Sequence, residues 1–288
     1  MAATATKQRV LITGAGSGLG RALALEFARL GWRVALAEID PGRSRESAAA
    51  VQAAGGQALE IPCDVTRPGD LEQAARIVLR DWGGLDVLVN NAGVAAAGFF
   101  EKIPLDDWER IIAVNLKGVI HGCRAFIPIF QQQGNGYIVN VASCAGIASL
   151  PEMAGYNMTK AGVISLSETL RVELAAHRIG VSVVCPMFFK SGIMAGFTCT
   201  DAHQRRLAEI FFARSRASAT GIARRVVRAI RRRRFYVVAP LGGKLLWICK
   251  RLFPGLYLFC LREFYVSAFF RKSGLVPKEP RPPAAPED

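Results

Sequence analysis

The chain has 288 residues, enough for one large α/β unit with a sizeable core. Hydrophobic residues make up 51%, at the upper edge of soluble globular usage, and seven cysteines without a C-x-x-C pair argue against a disulfide framework or a zinc site. The formal net charge of +14 is uneven: residues 1–200 carry 18 Lys+Arg against 17 Asp+Glu, and residues 201–288 carry 19 against 6.

The opening MAATATKQRV lacks an apolar run of signal-peptide length, and the scattered cysteines fit a reducing, cytoplasmic setting. His121, His177 and His203 lie far apart and form no metal-ligand pattern. Arg9–Thr13 reads as a short buried strand. It runs into Gly14-Ala15-Gly16-Ser17-Gly18-Leu19-Gly20 and then an apolar helix pattern through Leu30. Gly14 permits a tight turn, Gly18 lets the backbone approach a pyrophosphate, and Gly20 allows close helix–strand packing. The helix N-terminus then offers free N–H groups to phosphates.

Val34–Ala37 is the second strand and ends at Glu38, which follows Gly20 by 18 residues. A carboxylate there can accept the ribose hydroxyls of adenosine and repel a 2′-phosphate, so NAD is expected over NADP. Asp40 is a competing acid. Arg43 and Arg45 soften the preference, because they could reach a phosphate.

Residues 43–54 form a helix, Leu59–Cys63 a third strand, residues 68–82 a helix and Leu85–Val89 a fourth strand. This alternation predicts a parallel sheet covered on both faces, with ligands beyond the C-terminal strand ends. Asp64, Val65 and Asn90-Asn91-Ala92-Gly93 fall at those ends. A long helix over 107–131 holds Asn115, and Tyr137–Val141 is a fifth strand followed by Ser143. The helix over about 154–177 carries Tyr156 and Lys160, four apart and on one face. A free phenol titrates near 10, and a neighbouring ammonium is expected to pull it down toward useful acid–base chemistry. Val181–Cys185 and Phe235–Val238 complete about seven strands.

Over residues 7–240 the chain resembles the short-chain dehydrogenase/reductase family. The resemblance rests on T-G-A-G-S-G-L-G at 13–20, Asp64, N-N-A-G at 90–93, Asn115, Ser143 and Y-N-M-T-K at 156–160. It implies an α/β fold, a Rossmann-type doubly wound parallel sheet with helices on both faces. It also implies a catalytic set of Asn115, Ser143, Tyr156 and Lys160. Tyr156 would be the acid/base, Lys160 would tune it and hold the nicotinamide ribose, Ser143 would bind the substrate oxygen, and Asn115 would hold a relay water. The implied cofactor contacts are Gly14, Ser17, Gly18, Leu19, Gly20, Glu38, Asp64, Val65, Asn91, Ala92, Gly93, Tyr156, Lys160, Pro186 and Ser191. Relatives place Pro-Gly after the sixth strand. Here it is Pro186-Met187, and Met187 is expected to narrow the site or shift the loop. Ser191 stands where a threonine is usual.

The activity implied is NAD(P)-linked interconversion of a secondary alcohol and a ketone. Residues 191–220 are expected to form a substrate lid. Ile193, Met194, Phe197, Phe211 and Phe212 make it apolar, which favours a lipid-, steroid- or retinoid-like substrate. The alternatives are a non-catalytic NAD-binding sensor or scaffold and a dehydrogenase of a small polar alcohol. The helices near 107–131 and 154–177 resemble a pair that builds homodimers or homotetramers. Residues 241–275 form a basic, apolar extension, and the proline-rich tail 276–288 is expected to be disordered. Over 241–253, Lys244, Lys250 and Arg251 fall on one side of a helix, and Leu245, Ile248, Cys249 and Leu252 on the other. With Arg231–Arg234 this predicts peripheral membrane contact through 231–270 rather than nucleic-acid binding; the rival expectation is that the apolar stretch packs on a partner subunit or caps the substrate pocket.

Overall fold

The computed structural model describes residues 7–189, 196–215 and 217–270. Two compact units divide the chain, Met1–Lys244 and Leu245–Asp288. In the first, seven strands make one sheet: β1 Arg9–Thr13, β2 Arg33–Glu38, β3 Gln57–Pro62, β4 Val87–Asn90, β5 Gly136–Val141, β6 Ile179–Pro186 and β7 Tyr236–Ala239. Their order across the sheet is β3-β2-β1-β4-β5-β6-β7, and every neighbouring pair is parallel. The order reverses between β1 and β4, the point where such sheets open a crevice.

The central strands are buried on both faces, which is why they read as mostly apolar runs, and their polar residues Asn90, Asn140 and Ser182 are hydrogen-bonded inside. The helices are α1 Gly18–Ala28, α2 Pro41–Ala53, α3 Pro68–Trp82, α4 Leu105–Ile112, α5 Gly118–Gln133, a short α6 Ala145–Ala148, α7 Ala154–Glu173, α8 Ala202–Arg214 and α9 Ala219–Arg231. On one face α1 and α9 pack together, burying Leu23, Phe27, Ile222 and Val226 against Val10, Ile12 and Val184. Each such side chain contributes ~1.5–3 kcal/mol of burial. On the other face α3 and α5 pack together, and α7 packs on β5 and β6. Leu71, Val78, Phe126, Phe130 and Val163 are buried there.

Local chemistry sets the helix ends. Asp40 caps α2, accepting from Gly42 N at 2.8 Å and Arg43 N at 3.0 Å. Pro68 starts α3, and Gly83 ends it in the left-handed region at φ 72°.

The expected single helix over 107–131 is instead α4 and α5 joined by a wider π-helical turn, Ala113–Lys117, which contains Asn115. Its period differs from 3.6, so a helix pattern cannot reveal it. The combined helix, Leu105–Gln133, has 29 residues and a mean hydropathy of 1.2 in its most apolar stretch. It packs on α3 and α7 as a sheet-covering helix. The helix expected to run to about 177 ends at Glu173, and a separate tight turn, Ala175–His177, follows. Beyond β4, Ala96–Ala97 pairs with Thr198–Cys199 in a two-strand parallel ladder.

Beyond Lys244, α10 (Leu241–Leu252) continues to Phe253, where Pro254 starts α11, Pro254–Glu263. A wider helical segment, Phe264–Phe270, follows. The tail expected to be disordered, 276–288, lies outside the described residues.

Candidate active site

Thr13 at the end of β1 organises the glycine loop. Its hydroxyl accepts from Asn91 N at 2.9 Å and Ala92 N at 3.0 Å. The Asn91 side-chain amide donates to Thr13 O at 2.9 Å and Gly14 O at 3.2 Å. The two strand ends at the reversal point are thereby locked together. Gly14 turns with φ 62°, and a Cβ on Gly20 would lie 2.1 Å from Gly14 O, so a side chain at Gly20 would push α1 off the loop. Ser17 precedes α1 without a side-chain cap, leaving first-turn N–H groups for an anion.

Beyond these strand ends lies a cleft of about 340 Å³. Of the residues expected to hold a cofactor, Gly14, Ser17, Gly18, Leu19 and Glu38 line one side of it. Asp64 and Val65, which follow the edge strand β3, line the outer end; Asn91, Ala92 and Gly93, which follow β4, line the middle, and Tyr156, Lys160 and Pro186 the inner end. Gly20 sits behind the loop and does not line the cleft. Ser191, with Ile193 and Met194, lies outside the described residues. The sequence reading missed Ile39, Val94, Val114 and Phe189, which also line it. Ile39 and Val94 adjoin recognised strand-end motifs, and that adjacency was the available signal.

Glu38 is 7% exposed, and its carboxylate accepts from Gly16 N at 2.7 Å, Ile39 N at 3.1 Å and Asp40 N at 3.2 Å. A carboxylate offers about four acceptor sites, so about one remains for a ribose hydroxyl. Asp40, the competing acid, does not line the cleft: it caps α2 and pairs with Arg43 at 3.5 Å. Arg43 lines the cleft with that partner beside it, and Arg45 does not line it.

At the inner end, Gly146 brings α6 against α7, where a Cβ would lie 2.5 Å from the Lys160 carbonyl carbon. That approach sets Ser143 beside the Tyr156 phenol. Ser143 Oγ accepts from Ala145 N at 3.1 Å and reaches Pro186 O at 3.4 Å. Lys160 is 4% exposed, and its Nζ donates to Val141 O at 2.9 Å and lies 5.8 Å from the Tyr156 ring centre. Burial brings the ammonium down from 10.5 to about 8. Burial also pushes the Tyr156 phenol above its ordinary 10.0, and the hydrogen bond with Ser143 offsets part of the rise. The lowering of the phenol expected from Lys160 does not appear: desolvation of the phenolate leads, and the hydrogen bond with Ser143 is what opposes it.

Asn115 is fully buried in the π-helical turn. It accepts from Val94 N at 2.8 Å and donates to Val94 O at 2.9 Å, clamping the wall after Gly93. Met187 does not narrow the cleft: its N–H donates to Ala239 O at 2.8 Å, and its sulfur lies 3.9 Å from where a Gly243 Cβ would stand. Phe188 stacks on Phe211 at 5.1 Å and meets Phe212 edge-on at 5.4 Å. The two α8 phenylalanines thus pack on the segment after β6.

Residues 8–201 match the family model described as short chain dehydrogenase. The chain belongs to that family. Over 201 residues it is 38% identical to "Probable oxidoreductase EphD" of Mycobacterium tuberculosis. The match covers 69% of this chain and 34% of that protein, so this chain spans about a third of the relative's length. A short-chain dehydrogenase/reductase from Burkholderia phymatum, solved with NAD, aligns with TM-score 0.78 and 32% identity, covering 95% of this chain and 97% of that one. A short-chain dehydrogenase from Sphingobium yanoikuyae, solved with NADPH, aligns with TM-score 0.72 and 31% identity, covering 85% and 92%.

Proposed function

We propose that the chain interconverts a secondary alcohol and a ketone with NAD as hydride partner. The observation that carries this reading is Tyr156 and Lys160 side by side at the inner end of the cleft, with Ser143 hydrogen-bonded to the Tyr156 phenol. The fit to a dinucleotide rests on this structure. First-turn amides of α1 face the cleft, Gly20 admits the close loop, and a buried carboxylate, Glu38, stands at the far end. When bound, the nicotinamide supplies or takes the hydride.

The chain's own groups do the rest. Tyr156 gives its proton to the substrate oxygen in reduction and takes one in oxidation. Ser143 donates to that oxygen as negative charge develops, and the same hydroxyl stabilises the phenolate. Lys160 places a cation beside the phenol ring, and Val141 O fixes it there. The Asn115 side chain is spent on Val94, so it acts as a positioning residue for the wall at Gly93–Val94. Asp64 and Val65 line the adenine end, and the Glu38 charge disfavours a 2′-phosphate.

An apolar substrate is supported by Phe189 in the cleft and by Phe188, Phe211 and Phe212 beside it. A homodimer through the outer faces of α4, α5 and α7 is part of the same reading, as is a cytoplasmic enzyme that touches a membrane peripherally. The test is to mix protein and NAD with a panel of secondary alcohols and follow the absorbance of reduced nicotinamide. Turnover of an apolar member that Tyr156→Phe abolishes supports the reading. Unimpaired turnover by Tyr156→Phe refutes the assigned acid/base.

A further inference from the structure

We propose that the second unit carries an interfacial anchor that docks on an anionic lipid bilayer through α10 and α11. The proposal rests on no catalytic reading. In α10, Leu245, Ile248, Cys249 and Leu252 are all exposed, at the i, i+3, i+4, i+7 spacing of a single helix face. The run continues past Pro254 as Leu256 and Phe259. Leu252 is 63% exposed and Phe259 55%, so an apolar stripe lies open along consecutive helices. Stripes of this kind mark a docking surface.

The charges beside it say what covers it. Lys250 Nζ lies 5.7 Å from the Tyr257 ring centre, the Arg251 guanidinium 5.8 Å from Trp247 and the Arg262 guanidinium 5.4 Å from Phe259. Basic heads over aromatic rings, two of them the amphipathic Tyr257 and Trp247, suit the depth where acyl chains meet headgroups. With 12 and 10 residues, α10 and α11 are each too short to cross a hydrocarbon core, which takes about 20. Lying in the interface is the arrangement such helices can adopt. A second copy of this chain fits less well. Within the second unit, residues 245–288 hold 7 basic against 4 acidic side chains, and Lys250, Arg251 and Arg262 lie along α10 and α11 themselves, so a second copy would bring like charges together at the stripe, while an anionic leaflet attracts them.

The test uses the full chain with NAD and two vesicle compositions: phosphatidylcholine with phosphatidylglycerol, and phosphatidylcholine alone. At low salt the parent should float with the anionic vesicles and release as salt rises. The double variant Leu252→Glu/Phe259→Glu should lose about tenfold or more of the bound fraction. The double variant Lys250→Glu/Arg251→Glu should lose the preference for anionic over neutral vesicles. Circular dichroism and melting of each variant report folding. If the first variant is unfolded, the second variant and the parent's salt titration carry the test. A parent that stays unbound with both vesicle types overturns the proposal, as do variants that float like the parent. Sedimentation without lipid covers the rival: a parent that never floats but halves its mass on Leu252→Glu/Phe259→Glu uses the stripe for a second copy, and the proposal falls.

Discussion

Lys160 is the residue on which competing energies are easiest to weigh. A Lys titrates near 10.5 when solvated, and here burial brings it to about 8. At ~1.4 kcal/mol per unit, holding this ammonium inside costs on the order of 3 kcal/mol below pH 8. The folded value lies below the unfolded one, so the unfolded chain binds more protons between about 8 and 10.5. Stability from this group therefore rises with pH across that window. Lys160→Met in the cofactor-free protein should raise Tm by a few degrees at pH 7, and the gain should shrink by more than half at pH 9.5. Scanning calorimetry at the two pH values checks it, and a gain independent of pH would contradict the assignment. The same substitution should abolish turnover. For Tyr156→Phe, loss of the proton donor should cost ~10²–10⁴-fold in kcat, while NAD affinity by titration calorimetry stays within a few-fold. The Tyr156/Lys160 spacing alone is a weak signal, and it became legible through the glycine loop, Asn91, Asn115 and Ser143 that precede it. The direction of the phenol shift was not legible, because sequence does not give the burial that desolvates the phenolate.

At the level of elements, the strands and the glycine turn were readable because their signals are local: apolar runs, glycine spacing and charged strand ends. All seven strands fall within a few residues of the sequence reading. The π-helical turn Ala113–Lys117 escaped it, since one extra residue in a turn leaves the surrounding apolar pattern almost unchanged. That turn carries Asn115, whose two hydrogen bonds hold the Val94 backbone. Asn115→Ala would leave the part-buried N–H and C=O of Val94 without their side-chain partner, at up to ~1–3 kcal/mol each where water does not replace it. The expected result is a fall of ~10-fold or more in kcat/KM with the protein still folded, measured beside an unchanged circular dichroism spectrum. Met187 makes the opposite point. Its departure from Pro-Gly looked consequential in sequence, but its side chain runs toward Gly243. Met187→Gly should therefore leave NAD affinity within about twofold, because no cleft contact is lost. A large change in affinity would show that the side chain reaches the cleft after all.

For the molecule as a whole, the question is how far the cofactor cleft governs stability. Its walls come from the ends of β1, β2, β3, β4, β5 and β6 together with α7, so a bound dinucleotide would tie much of the first unit together. Anything that binds only the folded state stabilises by RT ln(1 + [L]/Kd), about 2.7 kcal/mol at a hundredfold excess over Kd. For a unit of this size each kcal/mol moves Tm by ~2–4 °C. NAD at that excess should raise Tm by roughly 5–10 °C. NADP at the same concentration should raise it less. Glu38 sets that difference: its buried carboxylate stands at the loop with about one acceptor site left, and Arg43 beside it is already paired with Asp40. Rejection of a 2′-phosphate then rests mainly on charge, so Glu38→Gln, which keeps the shape but removes the charge and one acceptor oxygen, should narrow the gap between the two cofactors. Glu38→Gln should also cost some stability without any cofactor, because the bond to Gly16 N weakens. Thermal shifts of parent and variant with each cofactor separate these effects without needing a substrate. A larger shift with NADP than with NAD in the parent would overturn the preference.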